Sequence, residues 1–213
     1  MDRYIRLSGD LAAIVRPGVL WWRNATVTEH LAALDPLLAE AEAALRVRPP
    51  ADTATVRTMY KRVGLDPTKT RPSNEALLRR VLKGGAIPRI NSLVDVINWC
   101  SVEFQLPYGL YDSAFIRGVP TMRLGQPGEE YAGIRKDIVH LAGRITVADD
   151  EGPFGNPTSD SARTMVTTAT RDALVVVYAP AEVSRSELER VLQVTADRIA
   201  RVCGGVEAGR AVL

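Results

Sequence analysis

"RINSLVDVINWCSVEFQLPYGLYD", residues 89–112, is where the chain turns from helical to extended spacing, and its reading decides the fold. Two polar side chains, Asp95 and Asn98, sit among apolar ones, and a separation of three places them on one face of a helix. Ser92 followed three residues later by Asp95 is the reciprocal serine–acid pattern that closes a helix start, so a helix is expected over 93–104. Asp95 therefore has a capping role open to it beside a ligand-binding one. The helix then runs into Pro107-Tyr108-Gly109-Leu110-Tyr111-Asp112, expected as a loop pinned by its proline.

On the N-terminal side the spacing is mostly helical. Residues 1–27 read as short strands and turns, with "VLWW" as a buried strand and Gly9 and Pro17-Gly18 as punctuation. From Thr28, which can cap free amides, Leu31, Leu34, Leu38, Ala41 and Leu45 recur at helical intervals, with a break or kink expected at Pro36 and an end at "PPADT", 49–53. His30 falls in the first turn of that helix. A short helix follows around 56–63, stopped by Gly64, and another runs from Ser73 to Gly84-Gly85 behind a loop stiffened by Pro67 and Pro72.

On the C-terminal side the period is two. "FIRGVPTMRL" reads as a strand pair around Gly118, "GRITVADD" as a half-buried strand and "DALVVVYAP" as a fully buried one. The segment between the last two is rich in Gly, Pro, Ser and Thr, which is loop composition. A final helix is signalled by Ser184 as cap, Glu187 completing the capping box, and Val183 facing Leu188. A sheet is therefore expected at the centre of the domain.

The 213 residues, 46% of them hydrophobic, suffice for one substantial core. A net charge of +2 permits a nucleic-acid partner without demanding one. No run approaches the roughly eighteen apolar residues that span a bilayer, and "MDRYIRLSGD" is unlike a secretion signal, so a cytoplasmic protein is expected. The two cysteines, Cys100 and Cys203, read as buried thiols. Phosphate-cradling, dinucleotide-binding and serine-elbow motifs are missing, and His30 and His140 are too far apart for a helical metal pair. Neither metal nor cofactor is expected.

The candidate chemistry lies elsewhere. Tyr108 and Tyr111 can form aromatic sides of a pocket, or bury their rings with hydroxyls bonded. Asp112 and Asp149-Asp150 close extended segments, where acids serve turns as often as active sites. Thr164, Thr167, Thr168 and Thr170 can orient a water or an amino acid, or form a solvated strand edge. Lys61, Arg62, Lys69, Arg71, Arg79, Arg80 and Lys83 form a basic concentration that suits either a phosphate backbone or solvent.

At these residues the sequence resembles the B3/B4 domain, a module of the beta subunit of phenylalanyl-tRNA synthetase that also occurs in stand-alone bacterial proteins. "GLDPTKTRPSNEALLRRVLKGGAIPRINSLVDVINWCSVEFQLPYGLYD" carries the likeness to the stand-alone branch, and "ADDEG" and "TMVTTATRDALVVV" extend it, so that it runs from about residue 60 to residue 180. It implies one α+β domain of B3/B4 topology over 60–180, with central mixed and antiparallel sheets covered by helices, and with residues 1–59 and a C-terminal helix in 181–213 packed on the same core. In the synthetase the module hydrolyses tyrosine wrongly esterified to the phenylalanine tRNA. By that likeness Asn98 and Thr167 would orient ester and water. Asp95, Pro107, Tyr108, Tyr111, Asp112, Thr164 and Thr170 would surround the amino acid, and Lys69, Arg71, Arg79 and Arg89 would meet tRNA phosphates. Gly109 stands where the bacterial synthetase carries a histidine, so a histidine-dependent step does not transfer. The expected partners are a tRNA and an amino acid or aminoacyl ester. The alternatives are a non-catalytic binder of an amino acid, another small molecule or RNA, and a structural or protein-interaction role.

Overall fold

The computed structural model describes residues 4–50, 54–135 and 137–213. In chain order its elements are β1 (Arg6–Leu7), β2 (Val15–Arg23), α1 (Asp35–Val47), α2 (Ala54–Arg62), α3 (Ser73–Leu82), α4 (Ser92–Phe104), β3 (Tyr108–Asp112), β4 (Thr121–Leu124), β5 (Glu130–Ala132), β6 (Ile138–His140), β7 (Ile145–Asp149), β8 (Gly152–Gly155), β9 (Ala173–Pro180), α5 (Arg185–Cys203) and β10 (Val206–Val212). The fold is α+β.

β9 organises the core. All eight of its residues are buried, so it must be paired on both edges and covered on both faces. It lies antiparallel to β2 on one side, with Leu20 opposite Val175, and to β3 on the other, with Tyr111 opposite Leu174. β10 completes the order β10-β2-β9-β3, which leaves β3 at an edge. A second sheet runs β1-β4-β7-β8, and β5 and β6 form a separate hairpin. The sheets meet where the Phe154 ring of β8 stands edge-on to Tyr111 of β3, centroids 4.9 Å apart. α4 and α5 pack together over the first sheet, with Arg198 of α5 stacked on Trp99 at 3.7 Å.

The expected starts and stops hold in several places. Ser184 accepts the Glu187 amide at 3.1 Å to open α5, and Gly64 and Gly84 take positive φ after α2 and α3. Both cysteines are free and buried.

Elsewhere the structure corrects the reading. The first helix starts at Asp35, preceded by a single 3-10 turn, so Pro36 occupies its first turn and makes no kink; the Thr28 backbone instead donates its amide to the Ser92 hydroxyl and accepts the Ser92 amide, and His30 lies before the helix. Pro49 and Pro50 follow α1, while residues 51–53 of the expected break lie outside the described residues. α4 is capped by Asn91, whose side chain accepts the Val94 amide at 3.0 Å, which frees Ser92 for Thr28. Residues 108–112 are a buried edge strand, not a loop. "FIRGVPTMRL" contributes one strand, because Asp112 caps a 3-10 turn over Ser113–Phe115 and β4 pairs with β7. Pro17-Gly18 lies inside β2, where the bare Gly18 lets Leu188 pack at contact distance. α5 is followed by a further strand, β10.

Candidate functional site

Beyond the edge of β3 a cavity of about 780 Å³ opens between α3, α4, the β5–β6 hairpin and the segment 158–166. That volume lies within the range of small-ligand sites. Each wall follows from local periodicity. One stripe of α4 supplies Val94, Ile97 and Asn98, the i, i+3, i+4 set of one helix face. β3 supplies Tyr108 and Leu110, alternate residues on one side of the strand. Ile134 and Val139 come from the hairpin, Met165 and Val166 from the return toward β9, and Arg71, Arg80 and Arg135 bring positive charge. Asn98 is half-buried, and among the described residues no hydrogen bond engages its amide.

The opposite face of β3 is filled. Tyr111 is fully buried and its hydroxyl lies 2.7 Å from that of Tyr178. A Cβ on Gly109 would lie 2.0 Å from the Tyr111 hydroxyl, and one on Gly155 would lie 2.1 Å from it. The two glycines form the slot that accepts the ring, and that is the physical reason position 109 holds no larger side chain.

Asp160 is the residue that the sequence reading missed. It lines the cavity, and its Oδ1 is enclosed without a hydrogen-bond partner among the described residues. Burial pushes its carboxyl up to about 7, opposed by the Tyr111 hydroxyl and the Leu110 amide. The segment carrying it is firmly held. Asn156 accepts the Thr158 and Ser159 amides at 2.8 and 3.0 Å, Tyr60 bonds the Pro157 carbonyl at 3.0 Å, and Tyr131 bonds that of Ser159 at 2.5 Å. The Ile134 amide reaches the Asp160 carbonyl at 3.2 Å, which ties the hairpin across the site.

Of the residues singled out in the sequence, Asn98, Tyr108, Arg71 and Arg80 converge on the cavity. The others do not line it, each for a visible reason. Asp95 is fully buried against Arg89, 2.7 Å from its Nε, and accepts the Ile90 amide at 2.8 Å; Arg89 also pairs with Asp35. Tyr111 points to the sheet interface, and the Pro107 carbonyl accepts the Tyr178 amide. Asp112 is bonded by Thr170 at 2.6 Å, Thr164 is buried, and Thr167 stands exposed in a turn that accepts the Ala169 amide. Lys69 and Arg79 are exposed on the surface. Asp149 is paired with Arg163 at 2.8 Å, and His30 and His140 face Asp35 and Glu130 in exposed pairs. The Tyr108 hydroxyl bonds Thr195 at 3.0 Å, so its ring and not its oxygen is presented to the cavity.

Among the described residues no three His, Cys, Asp or Glu side chains group as metal ligands, and no helix is long and apolar enough to cross a membrane. The model of the family described as the B3/4 domain matches residues 55–210. The chain is 31% identical over 86 residues to phenylalanine–tRNA ligase beta subunits of Brucella abortus (strain 2308) and Brucella suis biovar 1 (strain 1330). That segment is 40% of this chain and 11% of either ligase subunit, so the chain spans only a small part of the curated relatives it matches. An N-terminal fragment of the phenylalanyl-tRNA synthetase beta subunit from Pyrococcus horikoshii superposes with a TM-score of 0.48 at 12% identity, over 95% of this chain and 51% of the fragment.

Proposed function

Because the chain belongs to the B3/4 domain family, related to the beta subunit of phenylalanine–tRNA ligase, we propose that its cavity receives the aminoacyl end of a tRNA and that the chain hydrolyses a mischarged ester there. One observation carries this reading: the uncommitted Asn98 amide stands beside an apolar wall in a cavity sized for an amino acid and the sugar bearing it.

The chemistry asks little of the protein. An aminoacyl ester is already activated, so the work is to hold the carbonyl and to position a water. The Asn98 amide can donate to the ester carbonyl as negative charge develops on it, while its own oxygen orients the attacking water. Water adds to the carbonyl carbon, the bond to the ribose oxygen breaks, the ribose hydroxyl leaves with a proton, and the free amino acid is released. Ile97, Leu110, Val139 and Val166 supply apolar surface for the side chain, and Arg71, Arg80 and Arg135 suit the phosphates of the terminal nucleotides. On this reading the chain works alongside charged tRNA in the cytoplasm.

The test is deacylation of a panel of mischarged tRNAs: turnover by the full chain, lost in Asn98→Ala, supports the reading, and no turnover on any member refutes hydrolysis. The second reading, an amino-acid or RNA binder without turnover, is favoured by the lining of the cavity, which among the described residues includes no histidine to serve as a base. Binding of the same tRNAs without hydrolysis selects it.

A further inference from the structure

Asp160 lines the cavity; among the described residues its enclosed Oδ1 has no hydrogen-bond partner and no cation is paired with the carboxyl, whose other neighbours are the Tyr111 hydroxyl and the Leu110 amide. Buried carboxylates are ordinarily paired, because an uncompensated charge away from water is expensive. The titratable groups that burial brings nearest are the hydroxyls of Tyr111 on β3, Tyr131 on β5 and Tyr178 on β9. Burial raises all three, so they stay neutral and bring no positive charge. Arg71, Arg80 and Arg135 share the lining with Asp160 and Asp137, yet Arg71 faces Glu75 at 3.5 Å and Arg80 bonds the Ala86 carbonyl through its Nε. Among the described residues Oδ1 thus lacks a charged donor, which a ligand bringing its own positive charge would supply.

We infer that Asp160 anchors the ammonium of the ligand: its Oδ1 accepts an N–H from the free amino group of the bound amino acid or aminoacyl ester, and the site thereby rejects ligands whose amine is acylated. This rests on the reading of the cavity as an aminoacyl pocket. A neutral hydroxyl would satisfy the hydrogen bond alone, whereas an ammonium supplies the bond and the compensating charge together, and charge-assisted bonds are about twice as strong as neutral ones. The carboxyl's raised position, about 7, fits a group awaiting such a partner, since an arriving ammonium stabilises the carboxylate and displaces its proton.

The experiment measures Kd by calorimetry for a 3′-aminoacylamino-3′-deoxyadenosine, in which an amide replaces the labile ester, and for its N-acetyl derivative. The expected result for the full chain is that acetylation weakens binding on the order of tenfold or more. Asp160→Asn, isosteric with the original, weakens the free-amine probe by a similar factor and erases the discrimination, while Asn98→Ala weakens both probes alike. Equal affinity of the unaltered chain for the two probes overturns the inference and leaves the pocket standing. Discrimination that survives in Asp160→Asn, with only turnover lost, overturns it too and assigns Asp160 to proton transfer. Failure of the unaltered chain to bind either probe refutes the aminoacyl pocket and this inference with it.

Discussion

Asp95 and Asp160 are two enclosed acids in opposite circumstances. Asp95, at the start of α4, is answered by Arg89 and by the Ile90 amide. Asp160, on the cavity wall, has an oxygen that nothing in the described chain answers. The first is a joint: it ties the entry of α4 to the start of α1 through Arg89 and Asp35. The second ties the hairpin through its backbone carbonyl and meets the Tyr111 hydroxyl and the Leu110 amide, yet leaves Oδ1 for something else. Enclosure by itself does not distinguish structure from function. Satisfaction separates them better, because an ionisable group enclosed without a full set of partners is costly and calls for an explanation.

Substitution should separate the two most sharply. Asp95→Ala takes one of two carboxylates from the partly buried Arg89, which keeps Asp35, and leaves the Ile90 amide without its acceptor, so a loss of about 1–3 kcal/mol in urea unfolding is expected. Asp160→Asn should have the opposite sign above neutral pH. A folded-state carboxyl raised from 3.8 to about 7 gives stability that is complete below its unfolded value and lost as pH rises through the folded one. The unaltered chain should therefore lose up to a few kcal/mol between about pH 4 and pH 7 from this group, and Asp160→Asn should flatten that slope in thermal melts. A slope unchanged by the substitution would remove Asp160 from the contrast.

The filled face of β3 gives the next test. Gly109→Ala or Gly155→Ala drives a methyl into the Tyr111 hydroxyl, and about 1–3 kcal/mol of destabilisation is expected from overpacking. Smallest in stability, though not in function, is Asn98→Ala. The amide has no bond to lose, so unfolding should move by no more than about 0.5 kcal/mol while deacylation falls. A large stability loss here would make Asn98 a structural residue like Asp95.

The scaffold was largely legible in the sequence, because continuous apolarity in 173–180 and the Ser184–Glu187 pair are local signals that tertiary packing reinforced. The helix bearing Asn98 was found, and its cap missed by one residue, because Asn91 and Ser92 are both competent caps and only the distant Thr28 decides between them. Tyr108 and Tyr111 read as one aromatic wall because 107–112 was read as a loop. In a strand an odd separation sends them to opposite faces, one toward the cavity and one into the sheet interface. β10 was hidden because "VEAGRAV" is half-exposed and follows a glycine stop that looks like an end. Asp160 had no local signal at all. In "NPTSDSAR" an aspartate reads as a turn residue, and its meaning comes from Tyr111, Tyr131 and Tyr178 closing around it from three separate strands.

The contrast between the answered and the unanswered acid is tested most directly by a crystal structure of the chain with the amide-linked aminoacyl adenosine. The account predicts the ligand amine about 3 Å from Asp160 Oδ1 and the carbonyl at the Asn98 amide, with Asp95 still on Arg89. A ligand bound away from this cavity, or lying in it with its amine turned from Asp160, would contradict it.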